Sequence, residues 1–259
     1  MNFEHGPAGT PDPATAAQAR QAAARAAASR GGTEVARREG VRALAPNALE
    51  ARRMIHREMD DIGQVDSFRE LRTRLLMPAA ARHQVTLVTG VGPGCGTTFV
   101  AKNLASAIVF DESRHALLVD CNLRRPALAR EFAVDAASGG LVEFLEKPAI
   151  GLPTVIHPTG IPRLMVIPAG AARRHGGEAL STFRMRALVD MLRSRYPDRM
   201  LVLDAPPALG SPDACILAEL ADAVLLVAGE GRHRPEAIAE AARRFPPEKL
   251  AGVVFNQLP

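Results

Sequence analysis

Six short aliphatic runs constrain the fold of this chain more than any other feature: VTLVTG (85–90), ALLVD (116–120), RLMVIPA (163–169), MLVLDAPP (200–207), AVLLVAG (223–229) and AGVVFN (251–256). Each is almost continuously apolar rather than alternating, and each is bounded by Gly, Pro or charge. Strands of that texture are buried on both faces, and helix-length stretches separate most of them. The pattern predicts a mostly parallel sheet between two helical layers, an α/β domain spanning 83–259.

The front of the chain reads differently. Residues 1–45 are rich in Ala, Gly, Pro, Thr and Arg with few large apolar side chains. Such a segment buries too little to offset its ordering entropy, so a disordered tail is expected. Residues 46–82 read as a helical extension. One helix is predicted to start at a capping Asn47, with Leu49, Met54 and Ile55 inward. A second runs from Ser67 to Leu76 with Phe68, Leu71, Leu75 and Leu76 on one face.

Composition removes several classes of function. No apolar run approaches the roughly 18–20 residues that cross a bilayer. The opening MNFEHGPAGTPDP has neither the basic head nor the apolar stretch of a secretory signal. Three scattered cysteines, Cys95, Cys121 and Cys215, make no disulfide framework or zinc site, so a reducing, cytoplasmic setting is expected. The seven histidines show no metal-ligand spacing. Net charge is only +4, and residues 1–74 hold twelve arginines against ten acids. With one tyrosine and no tryptophan there is no stacking platform, so nucleic acid is not an expected partner.

The first strand runs directly into Gly90-Val91-Gly92-Pro93-Gly94-Cys95-Gly96-Thr97-Thr98, after which a helical pattern begins. A glycine-rich turn between a buried strand and a helix start presents backbone N–H groups to an anion at the positive end of the helix. Gly92, Gly94 and Gly96 allow close backbone approach, and the Thr98 hydroxyl stands where it could reach Mg²⁺. The competing reading is a tight turn that merely needs glycines. Cys95 reads as a small turn residue, with a redox-active thiol at the helix start as the alternative. Arg173-Arg174-His175 reads as an exposed charged loop.

Four segments in order, GVGPGCGTT, VDCNLRRP, VLDAPP and GVVFN, resemble the bacterial tyrosine-kinase family. These P-loop proteins work with membrane polysaccharide co-polymerases in making capsule and exopolysaccharide. The resemblance covers about residues 62–256 and implies a three-layer P-loop NTPase-like domain. Against the family's loop, approximately PGEGKS, Pro93, Gly94 and Gly96 match and Thr98 takes the hydroxyl position. Against DxDLRRP, the matches are Asp120, Leu123, Arg124, Arg125 and Pro126. Asp204 matches the acid of DTPP, and Asn256 an asparagine near the adenine. The resemblance thus implies ATP or ADP with Mg²⁺, held by Gly92, Gly94, Cys95, Gly96, Thr97, Thr98 and Asn256. Thr98, Asp120 and Asp204 would be metal ligands, and Asp120 and Asp204 catalytic acids.

The departures carry as much weight. Thr97 stands where the family has its lysine, and Asn122 where it has a second acid. Losing one preorganised donor of this kind costs ~3–4 kcal/mol of transition-state stabilisation, roughly 100- to 1000-fold in rate. Lys102 is five residues on, about 7.5 Å further along a helix axis, and is expected to project away from the loop. The only tyrosine is Tyr196, and the closing Gln257-Leu258-Pro259 holds no tyrosine cluster. Asp66, Arg69 and Arg72 resemble the family's ExxRxxR helix, which packs subunits into a ring. The expectation is a degenerate kinase homologue: a homo-oligomeric regulatory or scaffolding subunit of exopolysaccharide synthesis and export. An inner-membrane co-polymerase or chain-length regulator would hold it at the membrane. Three readings compete with it: an active autokinase with an unusual loop, a nucleotide-independent scaffold, and a partitioning or positioning ATPase, whose KGGxGKT loop carries two lysines absent here.

Overall fold

The computed structural model describes residues 43–76, 85–135, 139–173, 176–180 and 183–257. Most of the predicted tail, with the segments Met77–Gln84 and Leu258–Pro259, lies outside them. Helices span Pro46–Glu50 (α1), Ile62–Leu76 (α2), Thr97–Ile108 (α3), Leu128–Glu131 (α4), Leu141–Glu146 (α5), Leu152–Val155 (α6), Gly176–Leu180 (α7), Phe183–Arg195 (α8), Asp213–Leu220 (α9) and Pro235–Ala242 (α10). Strands span Val85–Gly90 (β1), His115–Asp120 (β2), His157–Pro158 (β3), Leu164–Ile167 (β4), Arg199–Asp204 (β5), Ala223–Gly229 (β6) and Leu250–Asn256 (β7). They form one seven-stranded sheet in the order β3-β4-β2-β5-β1-β6-β7. Every pairing is parallel except the short β3–β4 contact at one edge. The six aliphatic runs are the six long strands, and the central β1, β5 and β6 are buried at every position, as helical cover on both faces requires. The two-residue β3 has no aliphatic run to announce it.

Leu44, assigned to the tail, donates its N–H to the Gly160 carbonyl at 2.8 Å. The first helix opens with Pro46 in its first turn rather than on an Asn47 cap. After it ends at Glu50, Arg53, with a φ of 53°, turns the chain so that Met54 N–H returns to the Leu49 carbonyl at 2.9 Å. Met54 and Ile55 are buried as expected, but from the loop after the helix. The second helix starts five residues before Ser67, because Asp61 accepts the Gln64 N–H at 3.0 Å and caps it there.

Nearly all of α3 is buried, since β-strands cover one side and α2 with the 52–55 segment the other. Phe68 of α2 meets Phe99 of α3 edge to face, with centroids 5.9 Å apart. The buried polar residues of α3 are all engaged by the N-terminal segment. Asn103 accepts Ile55 N–H at 2.8 Å and donates to the Arg53 and Phe99 carbonyls at 3.0 Å, while Ser106 donates to the Ile55 carbonyl. Lys102 donates to the Arg52 carbonyl and to Glu131 Oε2, the latter at 2.6 Å. Asn103→Ala strands the buried Ile55 N–H, so stability should fall by about 1–3 kcal/mol. A urea midpoint indistinguishable from the parent protein's would refute this account of how the extension is attached.

Candidate functional site

The chain leaves β1 at Gly90, turns through residues 91–96 and enters α3 at Thr97. Gly96 sits in the left-handed region, φ 81°, immediately before the helix. No side chain caps this terminus and no acid occupies its first turn, which leaves the first N–H groups for an anion. A Cβ at position 90 would lie 2.6 Å from Thr97 Oγ1, so only glycine lets the Thr97 side chain fold back against the strand end. Cys95 is fully buried and clasps the turn, its Sγ donating to the Gly92 carbonyl at 2.8 Å and accepting the Gly92 N–H at 3.3 Å. That geometry fits the turn-residue reading of Cys95. Asn256, at the end of β7, donates to the Cys95 carbonyl at 3.0 Å and ties the loop to the sheet edge.

Asp120 and Asp204, named separately as candidate acids, are brought together by strand pairing. Asp120 ends β2, Asp204 ends β5, and the parallel register sets them side by side. Thr98 Oγ1 donates to Asp204 Oδ2 at 2.7 Å. The other Asp204 oxygen is buried without a hydrogen-bond partner. Asp120, by contrast, is fully engaged: Oδ1 accepts the Asn122 N–H at 3.1 Å, and Oδ2 accepts those of Ala127 and Leu128 at 2.9 and 3.0 Å. Asp120 therefore organises the turn that carries Asn122 and Arg124. Asn122 accepts the Arg125 N–H within that turn at 3.3 Å.

Burial pushes the Asp120 carboxyl up to about 6, against the three backbone N–H bonds that favour its anion. Burial first, then the neighbouring Asp120 charge, raises Asp204 well above the ordinary carboxylate range, opposed by the Thr98 hydroxyl. A hydroxyl and a bare buried carboxylate oxygen beside an uncapped helix start fit Mg²⁺, which takes one or two protein oxygens together with phosphate and water. Thr98 and Asp204 would hold the ion, whereas both Asp120 oxygens are already taken by backbone N–H groups. No group of three or more His, Cys, Asp or Glu placed to hold a metal exists among the described residues, so phosphate and water oxygens would complete the coordination.

The remaining candidates are elsewhere. Lys102 Nζ is held between α4 and the 52–55 segment and does not turn to the loop. On α2, Arg69 pairs with Asp66 at 3.1 Å, both exposed. Arg72 does not share that exposed pairing. It turns inward to donate to the Ala107 carbonyl at 3.1 Å, at the end of α3. An open cavity of about 660 Å³ lies between α2, the start of α3 and β7, and reaches Asn256. Sequence reasoning missed Asp213, which is buried 3.8 Å from Arg124 Nε. It also missed Arg232 and His233, which follow β6 and lean on the phosphate loop. The Gly-Arg-His-Arg run directly after an aliphatic strand was the available signal for the last two.

No family model matches the chain. Individual proteins do. The Ralstonia solanacearum protein named tyrosine-protein kinase EpsB is 32% identical over 208 residues, covering 79% of this chain and 27% of its own length. Tyrosine-protein kinase YwqD of Bacillus subtilis is 28% identical over 195 residues, covering 74% of this chain and 80% of its own. Among solved structures, the BceF tyrosine kinase domain superimposes with a TM-score of 0.68 at 28% identity, over 85% of this chain and 93% of that one. The chain belongs to the bacterial tyrosine-kinase family. It spans about a quarter of the length of EpsB, and the region in common with the bacterial tyrosine kinases is their α/β domain.

The carboxyl pair of this kinase-family domain makes its stability depend on pH. Unfolded, Asp120 ionises near 3.8; folded, it holds its proton to about 6. Stability should therefore fall as pH rises from about 4 to 6, with Asp120 contributing on the order of 3 kcal/mol, and go on falling above that as the more strongly raised Asp204 ionises. Asp120→Asn should flatten that fall in urea titrations taken at a series of pH values; an unchanged profile would place the proton elsewhere.

Proposed function

We propose that this domain binds Mg²⁺–nucleotide at the loop between β1 and α3 but transfers phosphoryl groups poorly or not at all. On this reading it acts as a regulatory or scaffolding member of its family in exopolysaccharide synthesis and export. The observation that carries the reading is the state of the loop. The backbone cradle, Thr98 and Asp204 are assembled as a nucleotide–metal site would need, while position 97 holds a short hydroxyl side chain. The nearest lysine along α3, Lys102, is committed to Glu131 and the Arg52 carbonyl. Phosphoryl transfer is almost entirely positioning and charge stabilisation, so a missing lysine weighs on transfer more than on binding. Tyr196, the only tyrosine of this sequence, is 2% exposed, which leaves no accessible acceptor within it.

The family resemblance supplies the wider setting: a membrane polysaccharide co-polymerase or chain-length regulator as partner, which would hold the domain beneath the inner membrane. No helix among the described residues is long and apolar enough to cross a membrane. Self-association belongs to the same proposal, and the exposed Asp66–Arg69 pair on α2 is its candidate contact. Arg72 braces α2 on α3 and is a poor choice for a charge-reversal test. Arg69→Glu sets two acids one helical turn apart and should weaken self-association in sedimentation without unfolding the protein. Equal sedimentation of variant and parent would make the pair a solvated surface feature.

Thr97→Lys tests the central claim. A charged hydrogen bond to phosphate contributes ~1.5–3 kcal/mol, so ADP should bind the variant roughly 10- to 150-fold more tightly by calorimetry. Gly96→Asp should abolish binding. The parent protein should show no tyrosine autophosphorylation. Turnover near the ~1 s⁻¹ at the slow end of kinase rates would instead establish an active kinase.

A further inference from the structure

The loop after β6 lays two nitrogen-bearing side chains on the phosphate loop. Arg232 Nη1 donates to the Gly94 carbonyl at 3.3 Å. The His233 ring stands over Gly92, where its Nε2 would lie 2.9 Å from any Cβ at that position, and 3.8 Å from Cys95 Sγ. This contact is anchored. Gly231 adopts a φ of 66°, the Arg232 N–H closes a turn onto the Gly229 carbonyl at 3.1 Å, and the Glu230 N–H donates to the Asn256 carbonyl at 3.0 Å. Asn256 in turn donates to the Cys95 carbonyl. The β6–α10 loop, the end of β7 and the phosphate loop are thus one hydrogen-bonded unit, built with a glycine at 92 that admits the imidazole.

An anion cradle made only of backbone N–H groups has no full positive charge opposite a phosphate chain. Position 97 supplies none, and Lys102 is turned away. Arg232 is exposed, and Gly94 takes only one of the five donors of its planar fork. A guanidinium binds phosphate oxygens two at a time, which suits it to the role that a lysine would fill from the helix. The bare, buried Asp204 oxygen at the same loop independently marks this as a place where a ligand is expected.

We propose that Arg232 is the cationic phosphate contact of this site, delivered from the β6–α10 loop, with His233 as the positioning residue whose ring seats that loop against Gly92. The ligand class is a nucleoside di- or triphosphate, recognised here through its phosphate chain. The inference rests on the nucleotide-binding reading and adds to it the source of the charge. It would lend charge to binding without restoring transfer, because the guanidinium is braced on Gly94, at the middle of the loop, rather than carried by the first turn of α3.

The experiment uses the full chain with fluorescent ADP, and with pyrophosphate and adenosine as competitors. Arg232→Gln should weaken ADP and pyrophosphate roughly 10- to 100-fold and leave adenosine unchanged. Arg232→Lys should recover part of the loss. Raising salt should weaken ADP binding by the parent protein more steeply than by Arg232→Gln. His233→Ala should weaken ADP less than Arg232→Gln does. ADP binding by Arg232→Gln at parental affinity would overturn the assignment and leave the nucleotide site standing. Equal losses of ADP and adenosine would also overturn it, by making Arg232 a brace of the loop. If the folded parent protein bound no ADP at all, the nucleotide reading itself would fall, and this inference with it.

Discussion

β5 lies between β1 and β2, and the groups of the site depend on that placement. It sets Asp204 beside Asp120 through one neighbour, and beside the end of β1, from which the phosphate loop departs, through the other. The chain leaves β1 for β2 on one side and later crosses from β5 to β6 on the other, so the carboxyl end of β1 is where connections diverge. In open α/β sheets that divergence opens the crevice in which ligands are held. Two carboxyls buried side by side resist ionisation, and the fold tolerates them because backbone N–H groups and a hydroxyl take three of their four oxygens. A divalent cation would satisfy the fourth.

The helix that carries the loop is held by polar as well as apolar contacts. Lys102, Asn103 and Ser106 lie on a buried face of α3 and bond the backbone of residues 52–55. In an isolated helix such residues would weaken the apolar surface; here they give the N-terminal extension a fixed seat, since each unsatisfied group would cost more than the bond returns. The same arrangement keeps the Lys102 ammonium away from the site. Structure and function are coupled at this residue, because the cation nearest the loop in sequence is used to hold the extension and α4 in place.

Charge is distributed around the loop rather than within it. The family resemblance leads one to look for a lysine on the first turn of α3, and the chain has threonine there. The cationic side chain that does touch the loop, Arg232, arrives from a segment 138 residues away in sequence. Backbone hydrogen bonds from Glu230 to Asn256, and the Asn256 amide to Cys95, make the contact part of the fold rather than an accident of a surface side chain.

The sequence by itself determined the sheet and the loop. Six runs of aliphatic residues can only be strands covered on both faces, and glycines between a buried strand and a helix can only be a close-approach turn, so local composition carried that much. It was less reliable at helix ends, where the Asp61 cap and the left-handed turn at Arg53 moved the expected boundaries. Asp120 and Asp204 were legible as important acids, yet their roles differ: one is spent on backbone N–H groups and the other keeps a bare oxygen. Only the tertiary structure decided that, as it decided that Arg72 turns inward, that Lys102 points away and that Arg232 meets Gly94. Each of these depends on which distant backbone groups lie within about 3 Å of a side chain. That distance is set by strand order and register, which no local stretch of sequence encodes.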